Sequence, residues 1–131
     1  MPFSQHVLLV DDHPAVRAVL LVVITRLYPE ATIVEASNGV EALLAVSQQQ
    51  PDLIITDYQM PVMSGLELVD TLRRQGATMP ILVLSSDTSI AGVLIAKGAS
   101  AFLSKPFQLP TLRDLLQALL PESGATQAVG V

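Results

Sequence analysis

The sequence predicts an α/β protein in which helices cover both faces of a doubly wound parallel sheet. Two observations carry this prediction. Short, continuously apolar runs rich in β-branched residues recur along the chain, which is typical of strands buried on both faces. Between them lie segments whose apolar residues are three and four positions apart, the spacing of a helix with one apolar face. Strict alternation of the two patterns favours parallel strands joined by helical crossovers.

Five strands are predicted, three of them strongly apolar and two weaker. The strongly apolar runs cover residues 7–10, 53–55 and 81–84, and the weaker ones cover residues 32–36 and 101–103. The strong runs end abruptly in polar residues, so their carboxyl ends are the first place to look for a ligand site, as in other open α/β sheets.

A helix is predicted after each strand. The apolar positions expected to face the sheet are Val16, Val19, Leu20, Val23 and Leu27, then Val40, Leu43 and Leu44, then Leu66, Val69 and Leu72, then Ile90, Val93 and Leu94, and finally Leu112, Leu115, Leu116 and Leu119. Pro14 suits a first helical turn, Asn38 and Gly39 suit the turn into the second helix, and Gly76 and Gly98 suit helix ends.

Length and composition indicate one domain. The chain has 131 residues, half of them hydrophobic and 15% charged, which is enough apolar material to fold without disulfides. We expect the domain to occupy residues 1–120. After Leu120 the composition changes, and residues 121–131 are predicted to be a flexible tail or the start of a linker.

Charge and residue usage exclude several classes of function. The net charge of −5 has the wrong sign for binding DNA or RNA phosphates, and the absence of cysteine excludes thiol chemistry. The longest apolar run, residues 18–24, is far shorter than the roughly 20 residues of a membrane span. A cytoplasmic protein is therefore expected. The same run exceeds one core-facing stripe, which predicts a partly exposed contact face, with a helix tucked deeply between its neighbours as an equally good alternative.

Three aspartates follow the predicted strands. Asp11 and Asp12 come directly after the first strand, and Asp57 lies at the end of the third. If these strands are neighbours, the carboxylates converge, and two like charges about 5 Å apart repel by roughly 3 kcal/mol at an effective dielectric constant near 20. A cation would relieve this repulsion, and a set of hard oxygen ligands favours Mg²⁺. Helix capping is an equally good explanation for Asp11 and Asp12 taken alone.

Two further polar residues are expected at the same edge of the sheet as the aspartates. Ser85 ends the fourth predicted strand and Lys105 follows the fifth, so a hydroxyl and an ammonium would face the same crevice. Each taken singly is better explained as a turn cap or an ordinary surface cation. Together with the aspartates, they form a set that a phosphoryl group requires.

At this point the sequence resembles the receiver domain of two-component response regulators, over nearly the whole chain. The residues that carry the resemblance are the Asp11 and Asp12 pair, Asp57 with the following Tyr58 to Gly65, Ser85, and Lys105 with Pro106 after Phe102. The resemblance implies a flavodoxin-like (βα)5 fold with strand order 2-1-3-4-5, as in the chemotaxis receivers.

The resemblance also implies a chemistry. Asp57 is expected to accept a phosphoryl group from a histidine kinase or a histidine phosphotransfer protein. Asp12 and Asp57 are expected to ligate Mg²⁺ directly, Asp11 mainly through water, and Gln59 through its backbone carbonyl. Such a domain is a signalling protein, not an enzyme, since it catalyses only its own phosphorylation and dephosphorylation.

The remaining expected roles concern the response to phosphorylation. Lys105 would pair with the phosphoryl oxygens, Ser85 would move to hydrogen-bond one of them, and Phe102 would be the aromatic switch residue. A cis peptide bond before Pro106 would aim Lys105 inward. An ordinary core aromatic is the alternative for Phe102, which also lacks the hydroxyl that a tyrosine would use in partner contacts.

Gln59 and Asp87 lie at positions that flank the phosphoryl group in the family and tune its hydrolysis. We expect the Gln59 amide to orient a water molecule and to speed the loss of the phosphoryl group.

Rival interpretations and partners remain open at this stage. A degenerate receiver that acts only as a binding module is opposed by the complete set of five site residues. A haloacid-dehalogenase-like phosphatase is opposed by the adjacency of Asp11 and Asp12, and a flavodoxin-like electron carrier by their charge. The expected output is a contact with a downstream protein or a separate output domain, with a homodimer as a further expectation.

Overall fold

The computed structural model describes residues 5–121 and shows a five-stranded parallel sheet in the order β2-β1-β3-β4-β5. The strands are β1 (His6–Val10), β2 (Thr32–Ala36), β3 (Leu53–Asp57), β4 (Ile81–Ser85) and β5 (Ala101–Ser104). Both the α/β class and the strand order expected from the sequence are confirmed. Each strand contains a predicted run, and four of them extend it by one or two residues.

Five helices connect and follow these strands. They are α1 (Pro14–Leu27), α2 (Gly39–Gln48), α3 (Gly65–Arg74), α4 (Ala91–Lys97) and α5 (Leu109–Leu119), with a single 3-10 turn at Thr88–Ile90 before α4. The predicted boundary residues behave as expected. Asn38 caps α2 by accepting a hydrogen bond from the Glu41 N–H group, and Gly76 and Gly98 take positive φ angles at the ends of α3 and α4.

The sheet order places the chain reversal beside β1. Since β1 lies between β2 and β3, the chain runs to one edge first and then to the other, and a crevice opens at the carboxyl ends of β1 and β3. Val10 is opposite Thr56, and Thr56 is opposite Val83. The residues that follow these positions, which include Asp11 and Asp57, therefore lie side by side.

Two apolar cores hold the helices against the sheet. On one face, α1 and α5 contribute Leu20, Ile24, Leu112 and Leu116. On the other face, the core includes residues of α2, α3 and α4, namely Ala42, Val46, Leu68, Val69, Leu72 and Leu94. The result is the three-layer packing that buries a parallel sheet on both faces, as the continuous apolar runs predict.

The predicted apolar face of α2 is correct at Leu43, which packs partly buried against the core, and wrong at Val40 and Leu44. Val40 and Leu44 are largely exposed, the latter at 60%, whereas Ala42 and Val46 are buried. Both sets have helical spacing, so periodicity alone could not separate them. The structure buries the set that begins at Gly39.

The prediction for α1 is correct in part. Leu20 is buried, but Val19, expected in the core, is 55% exposed, and Val22 is half exposed. The expectation that the run of residues 18–24 is partly exposed is therefore confirmed, because one helix face can bury only part of a continuous apolar run. Val93 of α4 is also more exposed than predicted.

The outer strand β2 is the most exposed strand, as its weaker apolar pattern indicates. At the carboxyl end of α1, the buried Tyr28 hydroxyl donates to the carbonyl groups of Leu116 and Leu120, and this joins α1 to the end of α5.

Within residues 5–121, no helix is long and apolar enough to cross a membrane. The predicted tail, apart from Pro121, lies outside the described residues.

Candidate functional site

The buried polar side chains of the described residues lie at the carboxyl edge of the sheet. They are Asp11, Thr56, Asp57 and Ser85, each at most 5% exposed. Three of these four were predicted site residues, and the parallel register brings their strand ends together. Burying charge and polarity at this edge is costly unless something binds there, so the edge is the candidate site.

The loop between β1 and α1 is held by hydrogen bonds at its carboxylates and carbonyls. Asp11 Oδ1 accepts the His13 backbone N–H at 2.8 Å. Arg17 donates to the Asp11 carbonyl oxygen at 2.5 Å and, through Nε, to Glu35 Oε1 on β2 at 3.0 Å. Arg17 thus connects the acidic loop to the edge strand. Sequence analysis missed this role, and the helical position of an arginine one turn after two aspartates was the available signal.

The acidic cluster fits a divalent cation. Asp11, Asp12, His13 and Asp57 each present one ligand atom, and these atoms all lie within 4.8 Å of one another. Asp11 Oδ2 is buried and has no hydrogen-bond partner among residues 5–121. An unsatisfied buried carboxylate oxygen among other carboxylates is costly alone and becomes favourable as a ligand. The oxygens are the donors that Mg²⁺ prefers.

Asp57 is the carboxylate at the centre of the predicted chemistry, and it forms an ion pair. Lys105 Nζ donates to Asp57 Oδ1 at 2.6 Å. Burial raises the pKa of Asp57, the hydrogen bond and charge of Lys105 oppose this effect, and the charge of Asp11 adds to the rise. The peptide bond between Lys105 and Pro106 is cis. The crevice therefore contains the Lys105 ammonium, the buried Asp57 carboxylate and the neighbouring carboxylates of Asp11 and Asp12.

Ser85 and Asp87 form a second, adjoining group. Ser85 Oγ accepts the Asp87 N–H at 2.9 Å. Asp87 Oδ1 in turn accepts the Ser89 N–H at 3.0 Å and the Ser89 hydroxyl, which caps the turn before α4. The Lys105 backbone N–H donates to the Ser85 carbonyl oxygen, so the ends of β4 and β5 are joined. The Asp87 carboxylate is occupied within its own loop and does not join the metal cluster.

The loop between β3 and α3 is shaped by two close approaches. A Cβ atom on Gly65 would lie 2.5 Å from the Asp57 carbonyl oxygen, and Gly65 donates its N–H to the Tyr58 carbonyl at 2.7 Å. A Cβ atom on Gly39 would lie 2.7 Å from the Met63 sulfur. Val62, between them, is 80% exposed with a φ angle of +72°, a costly conformation for a β-branched residue.

The exposed Gln59 side chain belongs to the same loop. It lines an open cleft of ≈ 430 Å³ whose other lining residues include Asp12, Met60 and Ser64. The cleft leads from solvent to the acidic cluster, so a phosphoryl donor could enter there. Gln59 is thus at the rim of the site, where a side chain can contact a bound group or its water.

Phe102 lies farther from the carboxylates. It is opposite Val83 in the sheet and packs, partly buried, against the core on the α2, α3 and α4 side. The structure therefore brings together Asp11, Asp12, Asp57 and Lys105, with Ser85 and Gln59 at the borders of the group. Phe102 and Asp87 are not part of the acidic cluster. His13, which was not predicted, belongs to the cluster, and Arg17, also not predicted, donates to the backbone carbonyl of Asp11.

Comparison with known proteins identifies the family. The family model of the response regulator receiver domain matches residues 7–117, and the chain belongs to this family. The resemblance noted from the sequence is confirmed, and the comparisons favour the receiver interpretation over the phosphatase and electron-carrier alternatives. The domain is a signalling domain.

Among curated relatives, the chain is 37% identical over 119 residues to the response regulator MprA of Mycobacterium ulcerans. The match covers 89% of this chain and 50% of that protein, so the chain spans about half the length of the curated relatives it matches. The remaining half of those relatives has no counterpart in this comparison.

Among solved structures, the chemotaxis response regulator CheY4 of Vibrio cholerae is similar with a TM-score of 0.79 and 34% identity, over 90% of this chain and all of that one. The receiver domain of the sensor histidine kinase PA1611 of Pseudomonas aeruginosa is similar with a TM-score of 0.78 and 25% identity, over 89% and 98% of the chains. That structure has a magnesium ion coordinated in its active-site cleft.

Proposed function

We propose that Asp57 accepts a phosphoryl group from a phosphohistidine donor and that Mg²⁺, held by this chain, assists the transfer. The contact of Lys105 Nζ with Asp57 Oδ1, beside the carboxylates of Asp11 and Asp12, carries this proposal. In this arrangement the Asp57 carboxylate would be the nucleophile, the Lys105 ammonium lies against it, and the neighbouring carboxylates would hold the metal ion. The side chains proposed for the transfer all belong to this set, and only Mg²⁺ and the donor would be added.

The transfer is a substitution at phosphorus. An Asp57 carboxylate oxygen forms the new P–O bond, the P–N bond to the donor imidazole breaks, and the imidazole takes a proton from solvent. When bound, Mg²⁺ would lower the charge repulsion between the carboxylate and the phosphoryl oxygens. Asp12, Asp57 and the Gln59 backbone carbonyl would hold it directly and Asp11 through water.

Lys105 and Ser85 would then respond to the new charge. Phosphorylation adds up to two negative charges to a crowded acidic site. Lys105, already at Asp57, would pair with the phosphoryl oxygens. The Ser85 hydroxyl can donate a hydrogen bond to one of them while it keeps accepting the Asp87 N–H. A shift of Ser85 would open space for Phe102, which packs against the adjoining core.

Hydrolysis of the acyl phosphate would be tuned at the rim. The exposed Gln59 amide is positioned to orient a water molecule, whereas Asp87 is engaged with Ser89 and would act through the conformation of its loop. We expect Gln59→Leu to lengthen the lifetime of the phosphorylated protein several-fold, because leucine cannot orient the water molecule that hydrolyses the acyl phosphate. The effect is modest because orienting a water molecule contributes less to hydrolysis than full general acid–base catalysis does. Equal lifetimes in stopped-flow or mass measurements would contradict this role.

The partners proposed for the domain follow from the family. The donor would be a histidine kinase or a histidine phosphotransfer protein in the cytoplasm, and the output would be a downstream protein or a separate output domain. The exposed face of α1 around Val19 and Val22 stays a predicted contact surface, for the donor's helices or for a second copy of the chain.

The test of the proposed function is intact mass after incubation with a small phosphodonor and Mg²⁺. We expect one added phosphoryl group on the wild-type chain and none on Asp57→Asn or after addition of a chelator. Asp52→Asn, an exposed aspartate at the opposite edge of the sheet, is the matched control and should be phosphorylated normally. A phosphoryl group that remains on Asp57→Asn would contradict the assignment of the acceptor.

A further inference from the structure

Arg17 brings a positive charge to the acidic loop, and the proposed phosphoryl transfer leaves it without a role. It lies near the start of α1, and its guanidinium group donates in two directions. Nη1 donates to the Asp11 carbonyl oxygen, and Nε donates to Glu35 Oε1 at 3.0 Å. Only 17% of the Arg17 side chain is exposed, so the side chain is largely covered in this position.

The contact with Arg17 completes a set of hydrogen bonds that fixes Asp11. The Asp11 N–H donates to the Ala36 carbonyl oxygen at 3.1 Å, where the pairing of β1 with β2 ends. Asp11 Oδ1 accepts the His13 N–H at 2.8 Å, and the Asp11 carbonyl oxygen accepts from Arg17. The remaining polar atom, Oδ2, is buried and has no partner among residues 5–121. Asp11 is thus held by its other atoms while Oδ2 stays available to a cation or to its bound water.

The charge of Arg17 acts against cation binding at this place. A guanidinium and a divalent cation repel each other, so charge alone predicts that removal of Arg17 strengthens Mg²⁺ binding. The contacts of Arg17 predict the opposite. A loop that is already held in place loses less conformational freedom when an ion binds, and outer partners that orient metal ligands raise the affinity. The direction of the change in Mg²⁺ affinity therefore separates the two effects.

We propose that Arg17 is a positioning residue for the metal site, and that it acts by holding the Asp11 carbonyl oxygen and Glu35 at the same time. The inference rests on the Mg²⁺ site of the proposed function and adds a residue outside the ligand set. Arg17 and Glu35 are 18 positions apart along the chain, so their contact ties the loop after β1 to the edge strand β2. The gain from placing the ligands outweighs the unfavourable charge.

The chain offers a matched control on the same helix. Arg26 lies in the last turn of α1 and is exposed. Arg17→Gln and Arg26→Gln each remove one positive charge from α1, but only the first removes the contacts with Asp11 and Glu35. Arg17→Lys keeps the charge, yet lysine presents a single ammonium group in place of the planar fork, so it cannot reproduce both contacts.

The experiment combines calorimetric titration of MgCl₂ into the full chain with NMR hydrogen exchange of the metal-free chain in the presence of a chelator. We expect Arg17→Gln to weaken Mg²⁺ binding about tenfold, the size of loss seen when an outer partner of a metal ligand is removed. Arg17→Lys should weaken it by a smaller factor, and Arg26→Gln should not weaken it. Without metal, the amides of Asp11 and His13 should exchange faster in both Arg17 variants and at the wild-type rate in Arg26→Gln.

Three results would overturn the inference. The first is an equal or higher Mg²⁺ affinity in Arg17→Gln, which would leave only the effect of charge. The second is full affinity in Arg17→Lys, and the third is unchanged exchange of the Asp11 and His13 amides in both variants. Arg17→Lys keeps the charge and the long side chain, so it decides the question if Arg17→Gln does not fold.

The same measurements separate this inference from the proposed function. If the wild type binds Mg²⁺ and accepts a phosphoryl group while the Arg17 variants bind Mg²⁺ equally well, only the positioning role is lost. If the wild type binds no Mg²⁺, the metal part of the proposed function fails, and the role of Arg17 toward a metal fails with it.

Discussion

Polar groups at the amino ends of the strands (the amino edge) and at their carboxyl ends (the carboxyl edge) differ in how fully they are hydrogen-bonded. At the amino edge, Asp52 and His6 exchange two hydrogen bonds, with the Asp52 N–H on the His6 carbonyl and Asp52 Oδ2 on the His6 N–H. Ser100 and Ile81 form a similar pair, in which Ser100 donates its N–H to the Ile81 carbonyl and accepts the Ile81 N–H with Oγ. The polar groups named here are satisfied by their neighbours in the protein.

At the carboxyl edge, the polar groups are buried and only partly satisfied. Asp11 and Asp57 are both buried, Lys105 pairs with Asp57 alone, and Asp11 Oδ2 has no partner among residues 5–121. Burial raises the pKa of Asp57, and the like charge of Asp11 adds to this rise. The polar groups of the amino edge are thus paired within the protein, whereas the carboxyl edge keeps a buried carboxylate oxygen that the proposed cation would partner. Three substitutions separate these roles.

The largest effect is expected for Asp12→Asn. A Mg²⁺ concentration about 100 times the dissociation constant should raise the free energy of unfolding of the wild type by about 2.7 kcal/mol. Asp12→Asn should lose most of this gain, because it removes a ligand that also carries charge. Denaturant unfolding with and without MgCl₂ measures the difference. Asp52→Asn, at the amino edge, should keep the full gain, and an equal loss in both variants would contradict the division between edges.

A smaller effect of opposite sign is expected for Asp11→Asn without metal. The asparagine Oδ1 can still accept the His13 N–H, while the unpartnered buried carboxylate charge and its repulsion with Asp57 disappear. We expect the metal-free protein to become more stable by about 1 kcal/mol, a fraction of the direct Coulomb repulsion because solvent and Lys105 screen it. Urea unfolding in the presence of a chelator measures this. A loss of stability would show that the carboxyl edge is not strained.

The smallest effect is expected at the amino edge for Ser100→Ala. The Ile81 N–H would lose its side-chain acceptor but could be hydrated, so the expected cost is about 0.5 kcal/mol. Phosphorylation and Mg²⁺ binding should not change, which intact mass and calorimetry would verify. A measurable drop in Mg²⁺ affinity would mean that the two edges are coupled through β4.

The sequence predicted the strands better than it predicted which helix faces are buried. Runs such as Ile81–Ser85 are apolar at nearly every position, so they are recognised as buried strands without knowing which face of the sheet each side chain occupies. In α2, by contrast, Val40 with Leu44 and Ala42 with Val46 satisfy the same helical spacing, and the structure buries Ala42 and Val46. Helical spacing alone does not show which of the two pairs faces the core.

The candidate site shows the same limit. Asp11, Asp57 and Lys105 were predicted because charged residues that follow buried strands are conspicuous in sequence, and the structure brings them together. Arg17 was missed although its position one turn after the two aspartates was an available signal, whereas nothing in the sequence shows that the His13 side chain lies against the carboxylates.

By itself, the sequence determined the alternation of strands and helices and the residues that follow each strand, since these depend on local patterns of apolar side chains. The strand order came from the family resemblance and not from these local patterns, and only the tertiary structure decided that Lys105 contacts Asp57 and that His13 joins the acidic cluster. The physical reason is distance along the chain. Lys105 and Asp57 are 48 positions apart, and their contact exists only because parallel pairing of β3, β4 and β5 aligns the ends of the strands.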